Sequence, residues 1–163
     1  MLEKIETTMA AIRTKLLQDN KIKQLLYFDS NDALQCFVPE DAKLEKYITL
    51  RPIYEFENKE DYDQNSMINI YMTQASPYED IVKVDGILQV NVICNVDIWE
   101  LVDNKIRPLQ IADRIITLVN NHKFTASNKL VLNTVTDLIV SKSMVGYALL
   151  FEITDGSGET DKF

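Results

Sequence analysis

Apolar and polar positions alternate most strictly between Gly86 and Ile98. Leu88, Val90, Val92, Cys94, Val96 and Ile98 fall on one side, and Gln89, Asn91, Asn95 and Asp97 on the other, with Ile87 and Ile93 as apolar exceptions. A period of two places one set on a single face of a sheet. This stretch is therefore expected to be a long strand that anchors the core, ended by Trp99 and Leu101. The period then becomes helical. Ile106, Leu109, Ala112, Ile116 and Val119 share one helix face, and Ile111, Ile115 and Leu118 widen it, while Arg107, Asp113 and Arg114 can lie outside. Asp103 or Asn104 is the expected N-cap, Pro108 suits the first turn, and Asn120-Asn121-His122-Lys123 is the expected stop.

Elements are expected on both sides of this unit. Leu2, Ile5, Met9, Ile12 and Leu16 form a stripe on an N-terminal helix, which either packs on the sheet or docks on a neighbouring subunit. Asp19-Asn20 breaks it, and Asn20 can cap a short second helix over 21–26. Residues 27–46 are expected to be loop with a short helix around 40–46. Tyr47–Tyr54 and Met67–Thr73 are expected to pair as a hairpin, with Pro52 marking an edge or a strand end. Ser76-Pro77 marks a break, and Asp85-Gly86 a tight turn into the central strand. Leu130–Val140 and Met144–Thr154 are expected to form a second hairpin around Ser141-Lys142-Ser143. Its second arm is apolar on both faces, which suits a central strand or a subunit interface. The expected class is α+β: a single mixed or antiparallel sheet with an N-terminal and a central helix on one face, in the order α-β-β-β-α-β-β. Residues 1–154 would form one domain and 155–163 a mobile tail.

The 163 residues carry a net charge of -8, and 46% are apolar. The acidic balance (pI about 4.7) argues against a nucleic-acid footprint and against charge-driven binding to an anionic membrane. Glu55, Glu57, Glu60, Asp61 and Asp63, relieved only by Lys59, make residues 55–66 the most acidic stretch. That loop is either a solvated segment that aids solubility or a charged projection into a partner or channel.

Chemistry is sparse. The single histidine, His122, follows the central helix without a Ser or Cys constellation nearby. Gly86, Gly146, Gly156 and Gly158 are too scattered for a phosphate loop. Asp61, Asp63 and Asn65 begin like a calcium loop, but Met67 and Met72 occupy positions that would need Gly and Glu. Cys36 and Cys94 lack metal spacing, and Cys94 falls on the buried face of the central strand. With no apolar run of spanning length and a charged N-terminus, a reducing cytosol is the expected compartment. Neither an enzyme nor a cofactor or metal is expected.

The element order resembles that of the tail-terminator and head–tail joining proteins of tailed bacteriophages. The stripe from Leu2 to Leu16, the strand Gly86–Ile98, the run Ile106-Arg107-Pro108-Leu109-Gln110-Ile111-Ala112-Asp113-Arg114 and the closing hairpin Leu130–Thr154 carry the resemblance. It covers most of the chain, and the long acidic loop departs from it. The resemblance implies a virion structural protein forming a hexameric ring that caps the tail tube and joins it to the neck. DNA would pass through the lumen without specific binding, and Glu55, Glu57, Glu60, Asp61 and Asp63 would face that lumen or a partner. The subunit would assemble in the host cytoplasm. The alternatives are another neck or tail-completion protein, or a small cytosolic dimer that binds a ligand between sheet and helices.

Overall fold

The computed structural model describes residues 2–52, 64–77, 84–125 and 128–155. Three helices, α1 (Leu2–Gln18), α2 (Asn20–Tyr27) and α3 (Arg107–Val119), cover one face of a five-stranded sheet. Its strands are β1 (Ile48–Thr49), β2 (Ser66–Pro77), β3 (Val84–Asn95), β4 (Asn128–Ile139) and β5 (Met144–Asp155), in the spatial order β1-β2-β3-β5-β4. The class is α+β, as the pattern of elements predicts.

The core follows the two periodicities. Leu88, Val90, Val92 and Cys94 of β3 are fully buried against Ile12 and Leu16 of α1 and Ile111 and Ile115 of α3, with Ile68, Ile70, Leu149 and Phe151 flanking them. Each such side chain contributes roughly 1.5–3 kcal/mol of burial before entropy is subtracted. The opposite sheet face holds a smaller cluster of Met67, Ile93, Val140 and Met144. Beside it Asn69 and Asn91 are buried; Asn69 Nδ2 donates to Thr49 and Gln89 Nε2 to Asn91 Oδ1 (each 2.7 Å), while among the described residues Asn69 Oδ1 has no hydrogen-bond partner.

The closing hairpin forms as expected, with β5 central between β3 and β4. Several boundaries differ. Of the expected arm Tyr47–Tyr54, only Ile48–Thr49 is strand among the described residues, and it runs parallel to β2, with Ile48 opposite Ile68; residues 53 and 54 lie outside those described. A parallel pair needs a crossover rather than a turn. The expected helix over 40–46 is only a 3-10 turn at Glu45–Tyr47, whose Glu45 carbonyl is held by Arg13 of α1. Asp85-Gly86 is no turn, because both residues lie within β3; β2 runs on beyond Thr73 and ends at Pro77, the expected break, pairing with β3 from Val84 onward. At the other end β3 stops at Asn95 rather than at Ile98. The Asn95 side chain accepts the amide of Asp97 and turns Val96–Ile98 into a 3-10 turn.

Both expected helix caps move by one or more residues. Asp19, not Asn20, caps α2, with its Oδ1 accepting the Ile22 amide at 3.0 Å. Ile106 occupies the N-cap of α3 without a side-chain cap bond, while Asp103 and Asn104 adopt left-handed backbone just before it. Short polar side chains tolerate that conformation better than branched ones. The C-terminal stop of α3 is as expected: Asn120 is the C-cap, and Asn121 has φ 62°. The proposed mobile tail begins with Asp155, the last residue of β5, and its remaining residues lie outside those described.

Candidate functional site

Arg107 fixes the geometry at one end of the molecule. Its spacing allows it to lie outside the apolar stripe, but it is fully buried. It donates from Nε to the Ile98 carbonyl (2.8 Å), from Nη1 to Leu25 and Phe28 (2.7 Å each) and from Nη2 to Ser30 (2.8 Å). Leu25 and Phe28 belong to the C-terminal end of α2, where helix carbonyls lack intrahelical partners. A buried cation is costly unless its donors are used, and four carbonyls use them here. Burial pushes the guanidinium pKa down, and neighbouring Cys94 and Asp29 act in the other direction. About two turns further along α3, Arg114 binds Asp19 at the N-terminus of α2, with Nε 2.8 Å and Nη2 2.7 Å from Oδ2. Two arginines of α3 thus hold α2 at both ends.

The same residue sets the loop from Val96 to Ile106. The Arg107 amide donates to the Trp99 carbonyl (2.8 Å), Val96 N–H to Ser143 (2.9 Å), Val102 N–H to Asn31 (3.0 Å) and Leu101 N–H to Lys105 (2.9 Å). This loop is therefore tied to the tip of the β4–β5 hairpin and to the segment after α2. It presents Trp99 beside Tyr147 of β5, ring centroids 6.4 Å apart and inclined at 45°. Val96, Asp97, Trp99, Glu100 and Val145 line an open cleft of about 410 Å³ there. Val96 is 43% exposed, and Asp97 and Glu100 are exposed.

Next to the cleft, β4 reaches beyond the helical layer. Its first part is covered: Leu130 N–H donates to His122, Leu132 N–H to the Asn120 side chain, and Asn121 N–H to Leu130. A bulge at Asn133 then shifts the register, so that Thr134 rather than Asn133 opposes Leu150. From Asn133 to Ile139, among the described residues, no strand lies on the outer side of β4. Val135 (44%) and Ile139 (68%) are exposed on this segment.

Other groups singled out by sequence are less informative. Glu55, Glu57, Glu60, Asp61 and Asp63 lie outside the described residues. His122 is exposed, its Nδ1 3.0 Å from the Asn120 carbonyl. Cys94 is fully buried, which drives its thiol pKa up to about 12. Cys36 is pushed upward by burial and by Asp32, whose carbonyl and carboxylate its thiol faces. Both thiols are free. Among the described residues no group of three or more His, Cys, Asp or Glu is placed to hold a metal ion.

Sequence reasoning missed Arg107 as a core residue, the cleft and the open edge. Only the edge left a signal, in the switch of apolar parity from Leu130 and Leu132 to Val135 and Ile139.

Comparison with known proteins then gives the chain a family. The YomW family model matches residues 19–153, and the chain belongs to that family. It is a Bacillus phage SPBc2-like family, and membership points to a phage-associated protein. No curated protein and no solved structure matches the chain.

Proposed function

We propose that this YomW-family chain is a virion structural protein that closes into a ring, as a tail terminator or head–tail joining subunit. The observation that carries this reading is the open outer edge of β4 from Asn133 to Ile139, beside exposed Val135 and Ile139. A closed ring needs a surface on each subunit that meets a different surface of its neighbour. An unpaired strand edge offers backbone donors and acceptors for that purpose. The bulge at Asn133 and the charge of Asp137 are devices that limit indiscriminate edge pairing, so the edge favours a partner matched to its twist. Membership of a phage-associated family supports a place in a phage particle.

On this reading the partners are the tail tube and neck proteins, and DNA passes the lumen without specific binding, in keeping with a net charge of -8. Glu55, Glu57, Glu60, Asp61 and Asp63 are the groups proposed to face the lumen or a partner. Replacing them with Gln and Asn is expected to alter assembly or DNA passage; unchanged virion yield and ejection would remove that role. The alternative of a ligand held between sheet and helices is less well supported, because fully buried Ile12, Leu16, Leu88, Val90, Ile111 and Ile115 fill that layer.

The test is the solution mass by light scattering with negative-stain images, for the protein alone and with the tail tube protein of the same phage. A six-fold ring is expected in at least one sample. A monomer or dimer in both would overturn the ring reading.

A further inference from the structure

We propose that the cleft at Trp99 is a docking site for a cationic, apolar segment of another protein, one Lys or Arg side chain of which lies over the indole between Asp97 and Glu100. The cleft combines three features. Its walls are apolar, with Val96, Val145 and the indole of Trp99, which rests beside the ring of Tyr147. Its rim carries two exposed carboxylates, neither of which has an ion-pair partner among the described residues. Its backbone is held on three sides by the bonds from Val96, Val102 and Arg107, so the site is formed before a partner arrives.

Charge selects the occupant. An indole face attracts a cation within about 6 Å of its centroid, and carboxylates beside it add to that attraction. Asp137, paired across the hairpin with Tyr147, adds a third negative charge on the same sheet face. A second copy of this chain is the weaker match, because its net charge is -8. Its most exposed aromatic side chain among the described residues, Phe37 at 93%, is followed closely by Glu40 and Asp41. The residues 55–63 are acidic as well. The cleft borders the β4 edge, since Val145 pairs with Ile139, but its occupancy is read by peptide binding rather than by ring mass.

Trp99 is the single tryptophan of the chain, so its fluorescence reports on this cleft. The probes are two capped eight-residue peptides, one alternating Lys and Val and the other Glu and Val, titrated into the full chain. The Lys-Val peptide is expected to shift the Trp99 emission in a saturable way, weakened by salt, and the Glu-Val peptide is expected to leave it unchanged. Asp97→Asn with Glu100→Gln should reduce the affinity for the Lys-Val peptide by about tenfold. A control that neutralises two exposed carboxylates elsewhere, Glu3→Gln with Glu6→Gln, should not. Absence of a saturable shift, an equal response to both peptides, or equal weakening by the two double variants (general attraction to an acidic protein) would each overturn the proposal. Whether the wild-type chain forms a ring is read separately by mass, so the two ideas fail independently.

Discussion

Arg107 shows how much one side chain can organise. Its guanidinium replaces water for four carbonyls at once, and its planar fork points at three of them from the end of α2 and its following loop. Arg107→Ala would leave those carbonyls unpaired in the interior, and is expected to destabilise the fold by about 3–5 kcal/mol. Arg107→Lys keeps the charge but has three donors on one atom, so it should rescue only a minor part. Urea midpoints of the three proteins check this; a Lys variant as stable as wild type would mean that charge, not the fork, matters. Asp19 acts at the other end of α2. Burial raises its pKa, but the Arg114 hydrogen bond, the Ile22 amide and the Arg114 charge outweigh this and hold it below 3.8. A folded pKa below the unfolded value means stability that is present above pH 3.8 and lost as pH falls through the folded pKa. Asp19→Asn can still cap the helix but loses the charge. The stability gap between wild type and this variant should therefore be open at pH 7 and close in acid below 3.8, as read from urea unfolding across that range. A gap that is independent of pH would assign the effect to the cap alone.

At the scale of elements, the long β3–β5 pairing depends on Gly146. A Cβ built there would lie 1.7 Å from the Val92 carbonyl oxygen, which is backbone and has nowhere to go. Gly146→Ala is expected to cost on the order of 3 kcal/mol or more, because the two strands must separate locally. Hydrogen exchange should show the loss first around Val92 and Ile93; unchanged protection there would show that the strands absorb the methyl. Much of this level was legible beforehand. The alternation of Leu88 to Cys94, the stripe of α1 and the closing hairpin all carry a period that burial enforces; on α3 the buried face is Ile111, Ala112, Ile115 and Val119, and Leu109, expected on it, is 40% exposed. What was hidden depends on single long-range bonds. β1 shrinks to Ile48–Thr49, and its direction follows from a crossover that no local pattern encodes. β3 ends early because one Asn95 side chain captures the Asp97 amide. Arg107 reads as surface because a charged residue beside a stripe usually is, and its carbonyl partners lie 77 to 82 residues away for Leu25, Phe28 and Ser30. The Trp99 cleft likewise needs β5 and the loop after β3 to meet.

For the whole molecule the decisive contrast is between a complete core and an incomplete boundary. Helices cover the sheet over most of its helix-facing side, yet among the described residues the far half of β4 has an open edge, with Val135 and Ile139 exposed. Those two side chains contribute little to the fold as it stands, so replacing them by Lys should change stability by no more than about 0.5 kcal/mol. If the edge is a contact between ring subunits, the same change places cations where a neighbour's strand would lie, and edge lysines are a common natural device against strand pairing. The double variant Val135→Lys with Ile139→Lys is therefore expected to keep its urea midpoint and to lose the ring, giving subunit mass by light scattering under conditions where the wild type assembles. A ring that persists would move the contact elsewhere on the surface while leaving the ring itself intact. A midpoint that falls together with the ring would show instead that this end of β4 belongs to the fold of the single chain.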